Sequence, residues 1–332
     1  MLAVAILSSC AAPSRQELAR FEFSEPQMGV PFRIVLYAPD SVTAGRAATA
    51  AFARIRELND ILTDYDDSSE LSRLSRSSGS GRAIHVSDDL WFVLERSLEI
   101  SRQGDGAFDI TVGPLVQLWR RARRQRQLPD PALIHDALHA VGFRNIRLDS
   151  SHRTATLTVP NMKLDAGGIA KGYAIDEALK VLATGGVTRA LVTGGGDMAA
   201  GDPPPGQSGW RIELAPLDVT NAPPARFVSL VHAGLATSGD LFQRVEIDGV
   251  RYSHIIDPRT GMALTDHGLV TLIAGNCTTA DGFSKVVSVL GPRAGFQVLH
   301  VVGGIEAHVA RIPGNTIETM ETPGFKRYDE KR

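Results

Sequence analysis

The residues best suited to chemistry lie in short segments that combine glycine with aspartate, lysine or histidine. In one of them a predicted strand ends at Asp165, two glycines make a turn, and a helix begins. Backbone N–H groups at the start of a helix bind anions, and Lys171 in the first helical turn opposes the helix dipole unless an anion lies nearby. The segment therefore predicts a phosphate-binding turn, although tight strand–helix turns also occur in mixed folds without a ligand. The five segments are residues 106–109, 164–173, 193–197, 253–261 and 279–285.

An aspartate and a histidine are the other candidates for chemistry. Asp281 opens the last strongly predicted helix, where the dipole stabilises its anion and a rigid carboxylate suits magnesium. The chain has no His/Cys cluster with zinc spacing, so oxygen ligands are the metal option. His254 lies at the end of a predicted strand beside a Pro-containing turn, where a histidine is either structural or functional. Gly106 would let the backbone approach a ligand closely, with Phe108 against a flat ring.

The elements that must position these segments alternate between helices and hairpins. Apolar spacing predicts a strand over 30–36 and helices over about 43–62, 87–102, 169–182 and 279–290, with a shorter one from Pro131 towards Gly142. Asp248-Gly249 predicts a type I′ hairpin turn. The glycine loop 193–197 follows a strand but no clear helix follows it, which disfavours a dinucleotide-binding Rossmann domain. Together these features predict an α+β fold with a mixed, mostly antiparallel sheet and packed helices.

The bulk properties narrow the function class. The chain has 332 residues, a net charge of −2 and only two cysteines. Such a charge gives no support for a nucleic-acid partner. Cys277 is expected to be a partly buried structural thiol and not a nucleophile. The basic run 120–126 is expected to be a solvated helix end or loop.

The amino terminus predicts export. A short apolar run leads into Leu7-Ser8-Ser9-Cys10, which matches a lipobox, although no positive residues precede it. We therefore expect residues 1–27 to be a lipoprotein signal remnant and tether with lipidation at Cys10. Residues 28–325 would be the functional domain in the periplasm or another extracytoplasmic space, held to a membrane by the lipid. An unusual or misassigned amino terminus is the alternative.

The segments together resemble the ApbE family of FAD:protein FMN transferases, from about Met28 to Gly291. Two motifs, LDAGGIAKGYAID and SHIIDPRTG, carry the resemblance most specifically, and GAFDITVGPLVQLW, ATSGD and TADGFSKVVSVLG occur in the family's order. The resemblance implies an α+β fold related to the tunnelling-fold group, FAD as substrate and Mg²⁺ at its pyrophosphate. It implies magnesium ligation by Asp281, the backbone of Gly168 and position 285, with His254 in proton transfer or in orienting the pyrophosphate. The implied flavin pocket comprises Met28, Tyr65, Ala107, Phe108, Asp109, Asp165, Lys171 and Ile256.

Position 285 departs from the family pattern. The family often has threonine there, whereas this chain has Lys285, and a charged lysine side chain cannot ligate a metal. Either the backbone carbonyl of Lys285 serves as the ligand or the metal site is weakened. Thr193 and Gly194 also replace the family's usual Asn-Ala.

The activity that the resemblance implies is transfer of FMN from FAD to a threonine of an acceptor protein, with release of AMP. The acceptor would be a subunit of a membrane redox complex. Two alternatives stay open from the sequence. One is a magnesium-dependent FAD pyrophosphatase that uses water as the acceptor, and the other is a non-enzymatic FAD-binding lipoprotein.

Overall fold

The computed structural model describes residues 17–217, 225–239, 244–313 and 316–330. The predicted lipidation site, Cys10, lies outside these residues. Within them, no helix combines the length and the apolar character needed to cross a bilayer.

The strands are short and most are connected as hairpins. In chain order they are β1 (Ala19–Gln27), β2 (Val30–Ala38), β3 (Ile84–His85), β4 (Ile146–Asp149), β5 (Thr154–Leu157), β6 (Ala190–Gly194), β7 (Asp197–Ala200), β8 (Trp210–Glu213), β9 (Phe227–Leu230), β10 (Ala233–Gly239), β11 (Arg244–Ile247), β12 (Val250–Ser253), β13 (Gly268–Ala274), β14 (Glu306–Arg311) and β15 (Glu318–Glu321).

The helices lie between groups of these strands. They are α1 (Ser41–Leu62), α2 (Glu70–Arg76), α3 (Asp88–Gln103), α4 (Gly113–Gln125), α5 (Pro131–Leu138), α6 (Ala170–Thr184) and α7 (Cys277–Val302), with short 3₁₀ turns at Phe143–Asn145 and Phe325–Tyr328.

One large antiparallel sheet organises the described part of the chain. Its strand order is β1-β2-β6-β7-β10-β13-β14-β15, and every neighbouring pair is antiparallel. Smaller sheets are formed by β3-β5-β4, β8-β9 and β11-β12. This architecture confirms the predicted α+β class, in which hairpin connections give antiparallel pairing and the helices are insertions.

Both faces of the large sheet are covered. Helices α1, α6 and α7 pack on one face, where β2 contributes Phe32, Ile34 and Leu36 to the main core. The β8-β9 hairpin and the last 3₁₀ turn cover the other face through Trp210 and Phe325. Since both faces are apolar, the register of the central strands is strongly specified.

A third apolar cluster joins helices α4 and α5 to the β11-β12 hairpin. Leu115, Trp119, Ile134, Tyr252 and Ile256 are its principal side chains. The hairpin turn is at Asp248-Gly249, with φ of 51° and 75°, which confirms the predicted type I′ geometry. This cluster fixes the loop after β12, which carries His254.

The expected tether over residues 1–27 is wrong for its last part. Residues 19–27 form β1, which pairs with all of β2 at the edge of the large sheet. Phe21 and Phe23 alternate with polar residues and pack against the main core. The period-2 alternation of Phe21 and Phe23 with polar residues was already present in the sequence and indicates a half-buried strand.

Helix α7 also differs from the prediction. The chain leaves the helical conformation at Gly291, where φ is 74°, as the Gly-Pro pair predicts. A second helical segment then begins at Pro292 and runs to Val302, because proline is well accommodated at the first position of a helix. Helices α2 and α4 were not predicted, although the basic run does form the end of α4.

Candidate functional site

Two turns meet at one end of the large sheet. Met28, with φ of 48°, forms the β1-β2 turn, and the glycine loop 193–197 forms the β6-β7 turn. The two turns are adjacent, because a Cβ on Gly195 would lie 3.2 Å from the Val30 side chain. Asp197 opens β7 at this end, and its Oδ1 accepts the backbone N–H of Thr237 in β10 at 3.2 Å. The sheet therefore places Met28 and Asp197 on the same rim.

The start of α6 reaches this rim. Lys171 Nζ lies 2.5 Å from Asp197 Oδ2 and 3.7 Å from Asp281 Oδ2. Burial lowers the pKa of Lys171, but the two carboxylates outweigh burial and raise it well above its usual range. Gly172 donates its backbone N–H to Asp281 Oδ2 at 3.0 Å. The first turn of α6 thus meets the second turn of α7 at one buried carboxylate, because α7 begins at Cys277 and not, as predicted, at Thr279.

A second aspartate of α6 fixes the start of α7. Asp176 accepts hydrogen bonds from the backbone N–H groups of Cys277 and Thr278, each at 2.8 Å. Burial raises the pKa of Asp176, and its hydrogen bonds with Thr278 oppose this. Asp176 was not predicted as a site residue, although it is the last residue of the motif LDAGGIAKGYAID. Cys277 is fully buried, more so than the predicted partial burial. Burial raises the pKa of its thiol well above the ordinary value, as suits a structural thiol.

Asp281 and Lys285 form a tight ion pair on one face of α7. Asp281 is 0% exposed, and the Lys285 ammonium lies directly on its Oδ1. Burial raises the pKa of Asp281, but the Lys171 and Lys285 charges outweigh it, so this pKa lies below its ordinary value. Gly168 adjoins the pair, because a Cβ there would lie 3.7 Å from Lys285 Cγ. The three residues expected to hold magnesium are therefore neighbours.

The arrangement of these residues does not fit a divalent cation. Both oxygens of Asp281 already accept from protein groups, as do both oxygens of Asp197. No group of three or more His, Cys, Asp or Glu side chains with the spacing of a metal site occurs among the described residues. The Lys285 side chain is taken up by its ion pair with Asp281, so a metal ligand from position 285 would have to be the backbone carbonyl, which is one of the two predicted alternatives.

The segment 106–109 lies against the glycine turn before α6. A Cβ on Gly168 would lie 3.0 Å from the Phe108 ring, and Asp165 donates its N–H to the Ile110 carbonyl at 2.8 Å. Ala107 and Phe108 are buried, so this segment forms a wall next to Gly168.

The Asp109 carboxylate stabilises this wall, formed by residues 106–109, through hydrogen bonds. Its Oδ1 accepts from the backbone and hydroxyl of Thr111 at 2.8 and 2.7 Å, and its Oδ2 accepts from the Phe143 N–H at 2.7 Å. Burial raises the pKa of Asp109, and these hydrogen bonds oppose it. Both oxygens accept hydrogen bonds from within the protein, so the side chain stabilises this wall.

Tyr65 and Asp165 belong to a second charged group. The Arg120 guanidinium lies 4.2 Å from the centre of the Tyr65 ring and 3.2 Å from Asp165 Oδ2, and it also pairs with Asp64. Burial and the Asp64 charge raise the pKa of Asp165, against the opposing effect of Arg120. Tyr65 is 81% exposed, so its ring is free to contact a ligand.

The loop that carries His254 is fixed on both sides. Arg259 pairs with Asp257 at 2.8 Å, and its Cγ would lie 4.0 Å from a Cβ on Gly106. Trp119 donates its indole N–H to the Gly261 carbonyl at 2.8 Å, and Ile256 is buried in the same cluster. His254 itself is half-buried directly after β12. The loop thus borders the wall formed by residues 106–109.

Two serines complete the rim. Ser238 at the end of β10 and Ser284 on α7 share a hydrogen bond of 2.6 Å, and the Ser284 hydroxyl also donates to the Asp281 carbonyl at 2.6 Å. The two serines and Asp197 were not predicted as site residues, although each lies within one of the glycine-containing segments or family motifs.

The fold and site define an α+β protein in which glycine-rich turns bring an aspartate–lysine cluster beside a buried phenylalanine at one end of an antiparallel sheet. The ApbE family model matches residues 28–309. The chain belongs to the ApbE family.

Relatives and solved structures agree with this assignment. The FAD:protein FMN transferase of Haemophilus influenzae is 28% identical over 100% of this chain and 98% of the relative. The enzyme of the same name from Salmonella typhimurium is 31% identical over 91% of this chain and 87% of the relative. The flavin transferase ApbE from Vibrio cholerae superposes with a TM-score of 0.84 at 27% identity, over 94% of this chain and 100% of that one.

Proposed function

We propose that this chain is an FAD:protein FMN transferase that moves FMN from FAD to a threonine hydroxyl of an acceptor protein. Its relatives over nearly the full length carry that name. The observation that carries the proposal is the convergence of Lys171, Lys285 and Asp281 beside Gly168 and the Phe108 wall. This arrangement offers ammonium donors for a pyrophosphate next to the wall that contains Phe108.

The proposed reaction is a phosphoryl transfer. The threonine oxygen forms a bond to the FMN-side phosphorus of FAD, and the bond from that phosphorus to the bridging oxygen breaks. AMP leaves with the bridging oxygen, and the hydroxyl proton passes to a base. Positioning and charge neutralisation dominate catalysis of such steps.

The chain's own residues supply these functions in the proposal. The ammonium groups of Lys171 and Lys285 neutralise charge that develops on the leaving AMP. His254 accepts the threonine proton, because an imidazole titrates near neutral pH. The magnesium that the family resemblance implies has no free carboxylate oxygen at Asp281, so no step is assigned to it.

The chain is also proposed to be exported and anchored to a membrane. The lipobox ending at Cys10 supports export and a lipid anchor, and an anchored enzyme would meet acceptor subunits of membrane redox complexes.

The test is incubation of the full chain with FAD and a candidate acceptor, followed by mass spectrometry of the acceptor. We expect one threonine to gain the mass of FMN less water, with AMP released in equal amount. A His254→Ala variant should retain FAD and lose transfer by about 10²-fold or more. In membrane-extracted protein, the same spectra should show an amino-terminal peptide that begins at a lipidated Cys10.

The matched control is His232→Ala. His232 is an exposed histidine that pairs with Asp202 at 3.0 Å, just before β10 and at the other end of that strand from Ser238. This variant should transfer FMN at the normal rate. AMP release that is equally fast without an acceptor would instead identify a pyrophosphatase, and FAD retention with no AMP would identify a carrier.

A further inference from the structure

The cluster at the start of α6 and α7 holds two carboxylates and two ammonium groups. Asp197 and Asp281 are 1% and 0% exposed, and Lys171 and Lys285 are paired with them. With all four groups charged, the cluster is neutral. A neutral cluster leaves no net negative charge for a divalent cation.

The carboxylate oxygens lead to the same conclusion. Asp281 Oδ1 is taken by the Lys285 ammonium, and Oδ2 accepts from Gly172 at 3.0 Å with Lys171 at 3.7 Å. Asp197 is likewise shared between Lys171 and the Thr237 N–H. A metal ion at Asp281 would have to displace an ammonium and would then lie against another one, at a cost that low dielectric increases.

Lys285 is placed where it can act as a cation towards phosphate. It lies four residues after Asp281, so the two side chains share one face of α7. Its stem passes Gly168, where the absence of a side chain leaves room. The Lys285 side chain is 15% exposed and that of Lys171 is 22% exposed. An ammonium has three donors, so one bond to Asp281 leaves others for phosphate oxygens.

We propose that the Lys285 ammonium is a built-in cation that occupies the position of a divalent metal, and that this chain acts on the pyrophosphate of FAD without one. Asp281 then holds the lysine in place and does not ligate a metal. The inference rests on the proposed function, because the pyrophosphate is that of the proposed substrate. Lys285 contacts the leaving phosphate directly, and Asp281 is a positioning residue.

The test compares the metal requirement of two variants of the full chain. In chelator, the wild type should release AMP and modify the acceptor within about twofold of its rate with magnesium. Lys285→Thr should lose about 10²–10³-fold in chelator, because one electrostatic element is gone. Magnesium should restore much of that loss, since the substitution frees Asp281 Oδ1. Lys180→Thr, which removes an exposed lysine bonded to Glu177 on α6, should behave as the wild type.

A second readout does not depend on activity. Titration with manganese(II), followed by electron paramagnetic resonance, should detect no stoichiometric site in the wild type and one site in Lys285→Thr. A stoichiometric wild-type site, or loss of wild-type activity in chelator with recovery in magnesium, would overturn the inference. A wild type that never releases AMP under any condition refutes the proposed function instead, and the manganese titration still decides the metal question.

Discussion

Gly172 illustrates at the scale of single residues how the site depends on close backbone approach. A Cβ at this position would lie 2.6 Å from the Cys277 carbonyl oxygen and 2.8 Å from Asp281 Cβ. Neither atom is the end of a flexible side chain, so α6 and α7 would have to separate. That movement would also stretch the hydrogen bond from the Gly172 N–H to Asp281.

We therefore expect Gly172→Ala to lower the free energy of unfolding by about 1–3 kcal/mol, as overpacking does, and to reduce FMN transfer. Gly45→Ala is the matched control, because Gly45 is inside α1 with no atom within 4 Å of the added Cβ. It should be neutral or stabilising by up to about 1 kcal/mol. Chemical denaturation of both variants measures the difference, and equal effects would mean that the helix contact tolerates a methyl group.

The residues that could be predicted are those with a local signal. Lys171 lies in the first turn of α6, where its charge is informative without knowledge of the fold. Asp281 was predicted as a site residue from its carboxylate near a helix start, although α7 begins at Cys277 and places Asp281 in its second turn. Asp176 and Asp197 could not be recognised in this way. Their partners lie 101 and 40 residues away, at Cys277 and Thr237, and only the packing of α6 against α7 and of β7 against β10 brings them together.

At the scale of elements, one arginine connects three helices. Arg54 on α1 pairs with Asp89 on α3 and, at 3.0 Å, with Glu177 on α6. Asp89 also accepts the Tyr173 hydroxyl of α6 at 2.6 Å. These side chains are less than a fifth exposed, so the network is worth more than a surface ion pair.

Arg54→Met should reduce the free energy of unfolding by about 1.5–3 kcal/mol near neutral pH. Burial raises the pKa of Asp89, but hydrogen bonds from Arg54 and Tyr173 outweigh it and leave this pKa below 3.8. The stabilisation from this ion pair is therefore fully present above pH 3.8, the ordinary pKa of the carboxyl. It is lost as the pH falls through the lower pKa that Asp89 has in the folded protein. Urea denaturation at a series of pH values should show the wild type and the variant converging in acid.

The control for this prediction is Arg56→Met. Arg56 pairs with Glu25 at 2.7 Å, but its side chain is 47% exposed. Exposed pairs contribute about 0–1 kcal/mol, so this variant should stay close to the wild type at every pH. A pH-independent loss in Arg54→Met would indicate that packing of the side-chain stem, and not the ion pair, stabilises the helices.

Elements with strong periodicity were predictable, and those with mixed signals were not. Helix α1 has buried residues at helical spacing over 22 residues, and the β11-β12 turn has a specific dipeptide. Helix α4 begins with Gly113-Pro114 and ends in a basic run, so its sequence resembles that of a loop. In the structure, Trp119 of this helix packs on Tyr252. Packing of the apolar face of α4 against other elements stabilises this helix, and the local sequence does not show that packing.

At the scale of the whole molecule, the matched family segment and the folding unit have different boundaries. The family match begins at residue 28, whereas the sheet begins at Ala19 with β1. Without β1, the backbone groups of β2 that pair with it would be exposed along a nine-residue edge. An unpaired edge of this length is a template for association with other chains.

A chain shortened to begin at Met28 should therefore be less stable than one that begins at Glu17. Loss of the half-buried Phe21 and Phe23 alone removes about 2–3 kcal/mol of apolar burial, and the free β2 edge adds a tendency to associate. Denaturant titration and size-exclusion chromatography of the two shortened chains measure both effects. Equal stability with no association would show that β1 is dispensable. The expected loss would instead extend the folded domain into the region that sequence analysis assigned to a tether, and any flexible link to a membrane would then have to lie before Ala19.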